Sequence, residues 1–413
     1  MASPKLSGGT ASTATLQQLL DSPEIGRLIE ELEATRWTGR PGYPIRTMIG
    51  LALAKSLYAL PTWTRVVALV ADHWRLQRVL GCEGDPPSKW AAYRFAEKLR
   101  DNGEKVERCI DAVVEGLKAK LPTYGTDLAI DASDMPAYAN GQRFVSKDSE
   151  VERNWHTDPD ASWGHRSAVS TRRGGGFFGY RLHMATCAAT DLPVAWTVET
   201  AKAHETRFVA DLLDTAKRRG AMAASAALDK GYDIQRIYSE CMERDCLPLI
   251  PLKQTPDVKR GEHRPPECQH GVWTFAGSDR RRGATKWRCP TGECKPASTW
   301  IAADRLHPLI PRTTKRWKAG YRKRAAVERE FGRLKTQWGL KPLRVRGLER
   351  VRLHADLTVL TKLACALSRA RSTRSLAPGR SQEPQGREQA AQASPGADRR
   401  GARTPAGIRR PGG

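Results

Sequence analysis

Residues 321–335 read YRKRAAVEREFGRLK, a run of cations packed around two glutamates. The pattern predicts one strongly basic helix over 318–337. Because an α-helix turns about 100° per residue, Tyr321, Arg324, Glu328 and Lys335 fall within an arc of roughly 60° on one face. Glu330 points about 180° away from Tyr321. One acid, one aromatic and two cations therefore share a stripe. Taken alone, the stripe fits a solvated charged face as well as it fits a carboxylate set against a polyanion.

The rest of the chain favours the polyanion. It has 413 residues, a formal net charge of +24 and a pI near 10.0, and such an excess attracts nucleic acid first and an acidic membrane surface second. Hydrophobic residues make up 39%, enough for real cores. No apolar run reaches the roughly eighteen residues of a membrane span. The opening MASPKLSGGTASTATLQQ lacks the apolar centre of a signal peptide. Nine cysteines, odd in number and mostly far apart, read as reduced thiols, and the expected location is the cytoplasm.

Three regions follow from the texture. Residues 1–120 read as helices, from PIRTMIGLALAKSLYAL through PTWTRVVALVADHWRLQRVLG to SKWAAYRFAEKLRDNGEKVERCIDAVVEGLKAKL, with breaks at Pro61 and Gly103. Its basic helix pair resembles a DNA-end-binding helix-turn-helix only loosely, and a bundle for packing or dimerisation is the equal reading. Residues 121–370 run strand, hairpin, helix, strand, helix, strand, which predicts a mixed α/β sheet, interrupted over 253–312 by a Pro-, Gly- and Arg-rich insertion with short strands. Residues 371–413 lack periodicity and read as a disordered basic tail.

Two more acids give the glutamate company. Asp131 is expected to end the strand DLAIDAS, and Asp229 the strand AALDKGYD. A carboxylate just past a strand end sits on the sheet rim where sites in open α/β folds collect. Three such carboxylates suit hard divalent cations. Two ions can activate a water or a 3′-hydroxyl and stabilise the leaving oxygen in a displacement at phosphorus. On this reading Glu328 is a metal ligand and the surrounding cations hold the strand that is cut. Asp134 and Asp233 are the competing ligands if the strand ends shift, and Asp127 reads as the start of its strand.

These residues resemble a known family. Tyr321, Arg324, Glu328 and Lys335 fill Y-x2-R-x3-E-x6-K, which looks like the signature of the DDE transposases of bacterial insertion sequences. Asp131 in AIDASDMPAYA and Asp229 in ALDKGYD resemble the family's first two acids, and GYRLHMATCAATDLPVAWTVETAKAHET its strand hairpin. The likeness covers about 35–370. It implies an RNase H-like sheet with a β-rich insertion, and two Mg²⁺ or Mn²⁺ ions on Asp131, Asp229 and Glu328. It implies that Tyr321, Arg324 and Lys335 contact DNA near the cleaved end. The implied reaction is cleavage of double-stranded DNA at the element's ends and strand transfer into target DNA. The expected assembly is a homodimer on DNA, nucleoid-associated and away from membranes. A DNA-binding protein without activity, or a nuclease without strand transfer, are the alternatives.

Other residues carry weaker signals. Cys268, Cys289 and Cys294, with His270 or His263, have zinc-ligand residue types, but C-x-H followed later by C-x4-C is looser than a zinc ribbon, and reduced loop cysteines are the other reading. Trp273, Trp287 and Trp300 read as the insertion's core, or as a platform for an extruded base. Trp317, among Lys315, Arg316 and Lys318, is the better DNA-contact candidate. His165, His183 and His204 are most simply loop or core residues.

Overall fold

The computed structural model describes residues 12–35, 42–139, 141, 157–166 and 174–375. The N-terminal region is helical: α1 (Thr13–Leu20), α2 (Pro23–Glu33), α3 (Ile45–Leu57), α4 (Trp63–Asp72), α5 (Trp74–Leu80), α6 (Lys89–Asp101) and α7 (Gly103–Lys120). The hydroxyls of Ser12, Thr62 and Ser88 accept from the amides of Thr15, Arg65 and Ala91, which satisfies donors that a helix start leaves free. The stretch 61–81 is two helices, because His73 adopts an extended backbone that ends α4 and starts α5.

The sheet contains β1 (Asp127–Pro136), β2 (Ser162–Arg166), β3 (Gly175–Cys187), β4 (Pro193–Thr200), β5 (Ser225–Leu228) and β6 (Leu247–Leu249). Strand β3 pairs antiparallel with β1, β2 and β4, while β1, β5 and β6 run parallel in that order. Helix α8 (Val209–Arg218) leads from β4 to β5, and α9 (Gln235–Glu243) from β5 to β6. Parallel strands need such crossovers, and the buried run Leu128–Ala129–Ile130 in β1 is the apolar signature of a strand covered on both faces. This is the mixed α/β sheet that the sequence pattern predicts, in the RNase H-like form that the family resemblance implies.

The insertion holds the turn α10 (Pro256–Lys259), the hairpin β7 (Glu267–Cys268) and β8 (Gly271–Val272), and a three-stranded sheet of β9 (Thr274–Asp279), β10 (Ala284–Arg288) and β11 (Ser298–Ala302). Trp287 is its buried centre, edge-on to Phe275 with ring centroids 5.7 Å apart.

The basic helix expected over 318–337 is two helices, α11 (Lys315–Arg322) and α12 (Ala325–Gln337). Between them the amides of Lys323, Arg324, Ala326 and Val327 donate to carbonyls three residues back, a tight 3₁₀-type turn that offsets the two axes. Helix α13 (Leu348–Ser375) closes the fold and reaches five residues into the expected tail; positions after 375 lie outside the described residues.

Apolar residues of α1–α7, the sheet, α12 and α13 form one continuous core. Along α13, buried side chains recur on more than one face, as expected of a helix enclosed by neighbours. It touches the helical region through Arg371 on Glu24 (2.6 Å) and the sheet through Asp356, which accepts from Trp196 Nε1 at 2.8 Å. Among the described residues no helix is long and apolar enough to cross a membrane.

Candidate active site

Strand register places the first two acids. The parallel β1–β5 ladder ends at the pair Ile130–Leu228, so Asp131 and Asp229 are the next residue on each strand. Asp229 leaves the sheet at once. It caps a short 3₁₀ turn, Lys230–Tyr232, its Oδ1 accepting from the Gly231 amide. Asp131, expected at a strand end, lies inside β1, which continues to Pro136 beside β3. It is on the rim only toward β5, whose departure opens the space beside it.

Helix α12 packs on β1 and β3, and its first residues reach that opening. Arg324, at its N-terminus, donates from Nη2 to Asp131 Oδ2 at 3.0 Å and from Nη1 to Glu328 Oε1 at 2.6 Å. Asp131 and Glu328 thus meet through one guanidinium rather than oxygen to oxygen. Glu328 remains 58% exposed, whereas Asp131 is 16% exposed. Lys335 donates to the hydroxyl of Ser133, which lies two residues beyond Asp131 and so on the same face of β1. Tyr321 lies flat on Trp317, ring centroids 4.9 Å apart and planes 13° apart. Trp317 is buried in a small cluster with Ala227 and Leu249, which corrects its reading as a DNA contact.

The competing acids have other partners. Asp134 points to the opposite face, 3.4 Å from Arg166 and 3.5 Å from Arg181. Asp233 is fully buried and accepts from Tyr238 Oη (2.9 Å), the Lys253 amide (2.8 Å) and Arg305 Nη1 (2.8 Å). It fastens the insertion to the sheet. Asp127 opens β1 as expected and pairs with Lys323 at 2.6 Å. Glu330 turns away from the site and is buried against Lys362 of α13. His183 is buried against Phe208, and His204 caps the turn before α8.

Sequence reasoning missed a fourth acid. A Cβ placed on Gly231 would lie 2.7 Å from Asp229 Oδ1 and 2.7 Å from Glu205 Oε1, so both carboxylates converge on this glycine. Glu205 sits within the quoted segment VETAKAHET, and only its spacing from the hairpin could have suggested it.

The charges show strain. Burial pushes the Asp131 carboxyl up to about 7; Arg324 pulls it down, and Asp229 and Glu205 push it up again. Burial also raises Glu205, with Asp229 adding to the effect. Tyr232, buried against the group, is raised well above its ordinary value by burial and then by Asp131, Glu205 and Asp229. Desolvated, mutually repelling oxygens, only partly offset by Arg324, Arg181 and Lys253, form a donor set suited to a hard divalent cation. Asp131, Asp229, Glu328 and Glu205 are the residues that could hold one. Among the described residues, however, no three carboxylates bring oxygens within 4.8 Å of one another; only Cys268, Cys289 and Cys294 meet that condition with their sulfurs.

The strand order, with α12 packed on β1 and β3 and α11 on β5 and β6, defines an RNase H-like α/β protein carrying a helical region in front. More particularly, the chain belongs to the transposase DDE-domain family, whose model matches residues 125–361. Its class of activity is therefore DNA cleavage and transfer with divalent metal, and its partner is DNA. No curated protein matches the chain. Among solved structures, it is similar to a piggyBac transposase in a synaptic complex with hairpin DNA, determined by cryo-electron microscopy. The two are 11% identical; the match covers 91% of this chain and 84% of that one, with a TM-score of 0.36.

Proposed function

We propose that this transposase cuts double-stranded DNA at the ends of a bacterial insertion sequence and joins the freed 3′ end to target DNA. The observation that carries the reading is the register: Asp131 and Asp229 stand side by side where the β1–β5 ladder ends, under the helix that bears Glu328. Asp131, Asp229 and Glu328 would hold two Mg²⁺ or Mn²⁺ ions. Such ions, when bound, supply an activated water or 3′-hydroxyl and stabilise the leaving oxygen.

The protein's own groups do the rest. Arg324 and Lys335 orient phosphates of the cut strand, because both lie along the face of α12 that covers β1. Tyr321 supports the terminal nucleotide, its ring plane fixed by Trp317. Glu205 concentrates negative potential beside Asp229. The helical region 12–120 reads the element's ends or joins two copies on DNA, and the net charge of +24 holds the assembly on DNA in the nucleoid.

The test is purified protein with linear DNA carrying the element's terminal repeats and Mg²⁺. Nicked and joined products should appear, and should fall at least about 100-fold in Asp131→Asn, Asp229→Asn and Glu328→Gln, a loss of about 2.7 kcal/mol in barrier stabilisation. DNA binding should persist in all three variants. Binding without cleavage under Mg²⁺ or Mn²⁺ would make this a non-catalytic DNA-binding protein. Cleavage without joined products would make it a nuclease.

A further inference from the structure

The insertion contains a cluster that DNA cleavage does not use. Cys268 ends β7, Cys289 directly follows β10, and Cys294 lies in the loop that leads to β11. Their three sulfurs lie within 4.8 Å of one another, and those of Cys268 and Cys289 are 3.8 Å apart. A tetrahedral ion with zinc–sulfur bonds of about 2.3 Å sets its sulfurs about 3.8 Å apart. A disulfide needs a separation of about 2.05 Å and would leave the third thiol over. All nine cysteines of the chain are free thiols. Cys289 is buried, while Cys268 and Cys294 are half-buried, so the cluster has a side open to an entering ion.

The local fold needs such a tie. β7 and β8 are two residues each, and a hairpin of that size does not hold itself together. The segment Cys289–Ala297 joins two paired strands through a long loop, closed at its base by the Cys289 amide donating to the Ala297 carbonyl at 3.0 Å. Few apolar side chains of the insertion are buried, Trp287, Ala284 and Val258 among them. Small units with little core depend on metal or disulfide links. Soft thiolates select zinc over the hard cations that suit the carboxylate site.

We propose that Cys268, Cys289 and Cys294 bind one structural Zn²⁺ ion that fastens the β7–β8 hairpin and the β10–β11 loop to each other. The fourth position falls to water or to His270, whose Nδ1 lies 3.4 Å from Glu293, the neighbour of Cys294. This centre is separate from the carboxylate site in both place and ligand type.

The experiment uses the full chain, purified under reducing conditions without chelator. Elemental analysis should find one zinc per chain. Exchange for Co²⁺ should give the sulfur-to-cobalt charge-transfer band in the near ultraviolet and the strong visible bands of a tetrahedral centre. Cys268→Ser and Cys294→Ser should each lower zinc content severalfold, while Cys246→Ala, at a buried cysteine of the sheet domain, keeps it. Because loss of a ligand also loosens the insertion, thiol-specific modification of the unaltered protein provides a second measure: zinc should be released in step with loss of three thiols. Protein with no stoichiometric metal and no charge-transfer band on Co²⁺ addition would overturn the proposal, as would a Cys268–Cys289 disulfide in peptides from freshly prepared protein. Metal content is the readout, so the result stands whatever reaction the carboxylates perform.

Discussion

Arg324 donates to the carboxylate of Asp131 at 3.0 Å across 193 positions of sequence, and with the Lys323–Asp127 pair it ties the basic helices to the central strand. The same guanidinium holds Glu328, so it stands as counter-charge between two of the acids proposed to hold metal. Arg324→Ala removes that charge from a desolvated carboxylate and should lower the melting temperature at pH 8. A divalent cation then meets Asp131 and Glu328 without the guanidinium that competes for them. Mn²⁺ should therefore raise the variant's melting temperature more than that of the unaltered protein, while cleavage stays about 100-fold down, because phosphate orientation is lost. Equal Mn²⁺ shifts in both proteins, or undiminished cleavage, would refute this role. Arg324→Lys should restore stability better than activity, since an ammonium cannot span two carboxylates as a planar fork does.

Gly231 separates stability from activity most cleanly. A methyl group there would lie 2.7 Å from oxygens of both Asp229 and Glu205. Both are ends of side chains that can rotate away, so Gly231→Ala should change stability by less than about 1 kcal/mol. The rotation moves the two acids, and cleavage should fall at least tenfold. Paired denaturant titrations and single-turnover cleavage assays check this. A large stability loss with proportionate loss of activity would mean that the glycine serves only the turn.

Much of this arrangement is legible in the sequence. The apolar run into Asp131, the small-residue run into Asp229 and the spacing in YRKRAAVEREFGRLK locate the three acids without coordinates. Periodicity does not reveal backbone breaks made by ordinary residues, so the turn at Lys323–Arg324 and the extended His73 escaped it. It does not reveal long-range convergence either. Glu205 lies outside any strand and becomes an acid of the site only because the chain folds it against Gly231. Trp317 misled for the opposite reason: cations flank it in sequence, yet its ring turns inward onto Leu249.

Asp233 should behave unlike Asp229, four residues away. It is fully buried and accepts from Tyr238, the Lys253 amide and Arg305, with Arg312 Nη2 at 3.7 Å. Asp233→Ala removes the buried carboxylate that two guanidinium groups face beneath the insertion, leaving Arg305 with Asp257 and Arg312 with neutral acceptors. A loss of about 3–5 kcal/mol is expected. It should be seen as faster hydrogen exchange and earlier proteolysis within 253–312, with α1–α7 unaffected. Asp229→Ala should leave that protection unchanged. Equal exchange in the two variants would show that the insertion is held by other contacts.

Lys55 and His354 join the helical region to α13 and set an acid limit on stability. Lys55 Nζ lies 3.1 Å from His354 Nδ1, and His354 Nε2 is 3.3 Å from the Leu340 carbonyl. An ammonium donating to Nδ1 leaves the proton on Nε2, so the buried ring is neutral. Burial, with Lys55 adding to it, depresses His354 to about 3 from its ordinary 6.5. Between those two values the unfolded chain binds a proton that the folded chain does not, so this residue's contribution to stability falls as the pH drops below 6.5. The slope is about 1.4 kcal/mol per pH unit for a full proton. Asp131 works in the reverse sense: raised to about 7, it favours the folded state as the pH falls toward its ordinary value, so a single melting curve mixes the two. A difference measurement separates them. Relative to the unaltered protein, His354→Leu should gain stability steadily from pH 6.5 to pH 4. Lys55→Met should show a much shallower slope there, because burial is the larger cause of the depressed ring and Lys55, lowered only to about 8, stays charged throughout that range. It should instead show a nearly constant gain at acid and neutral pH, since the buried ammonium has no carboxylate partner in this contact. Parallel pH profiles for the unaltered protein and His354→Leu would mean that the ring is protonated in the folded state and that its proton is not on Nε2 alone.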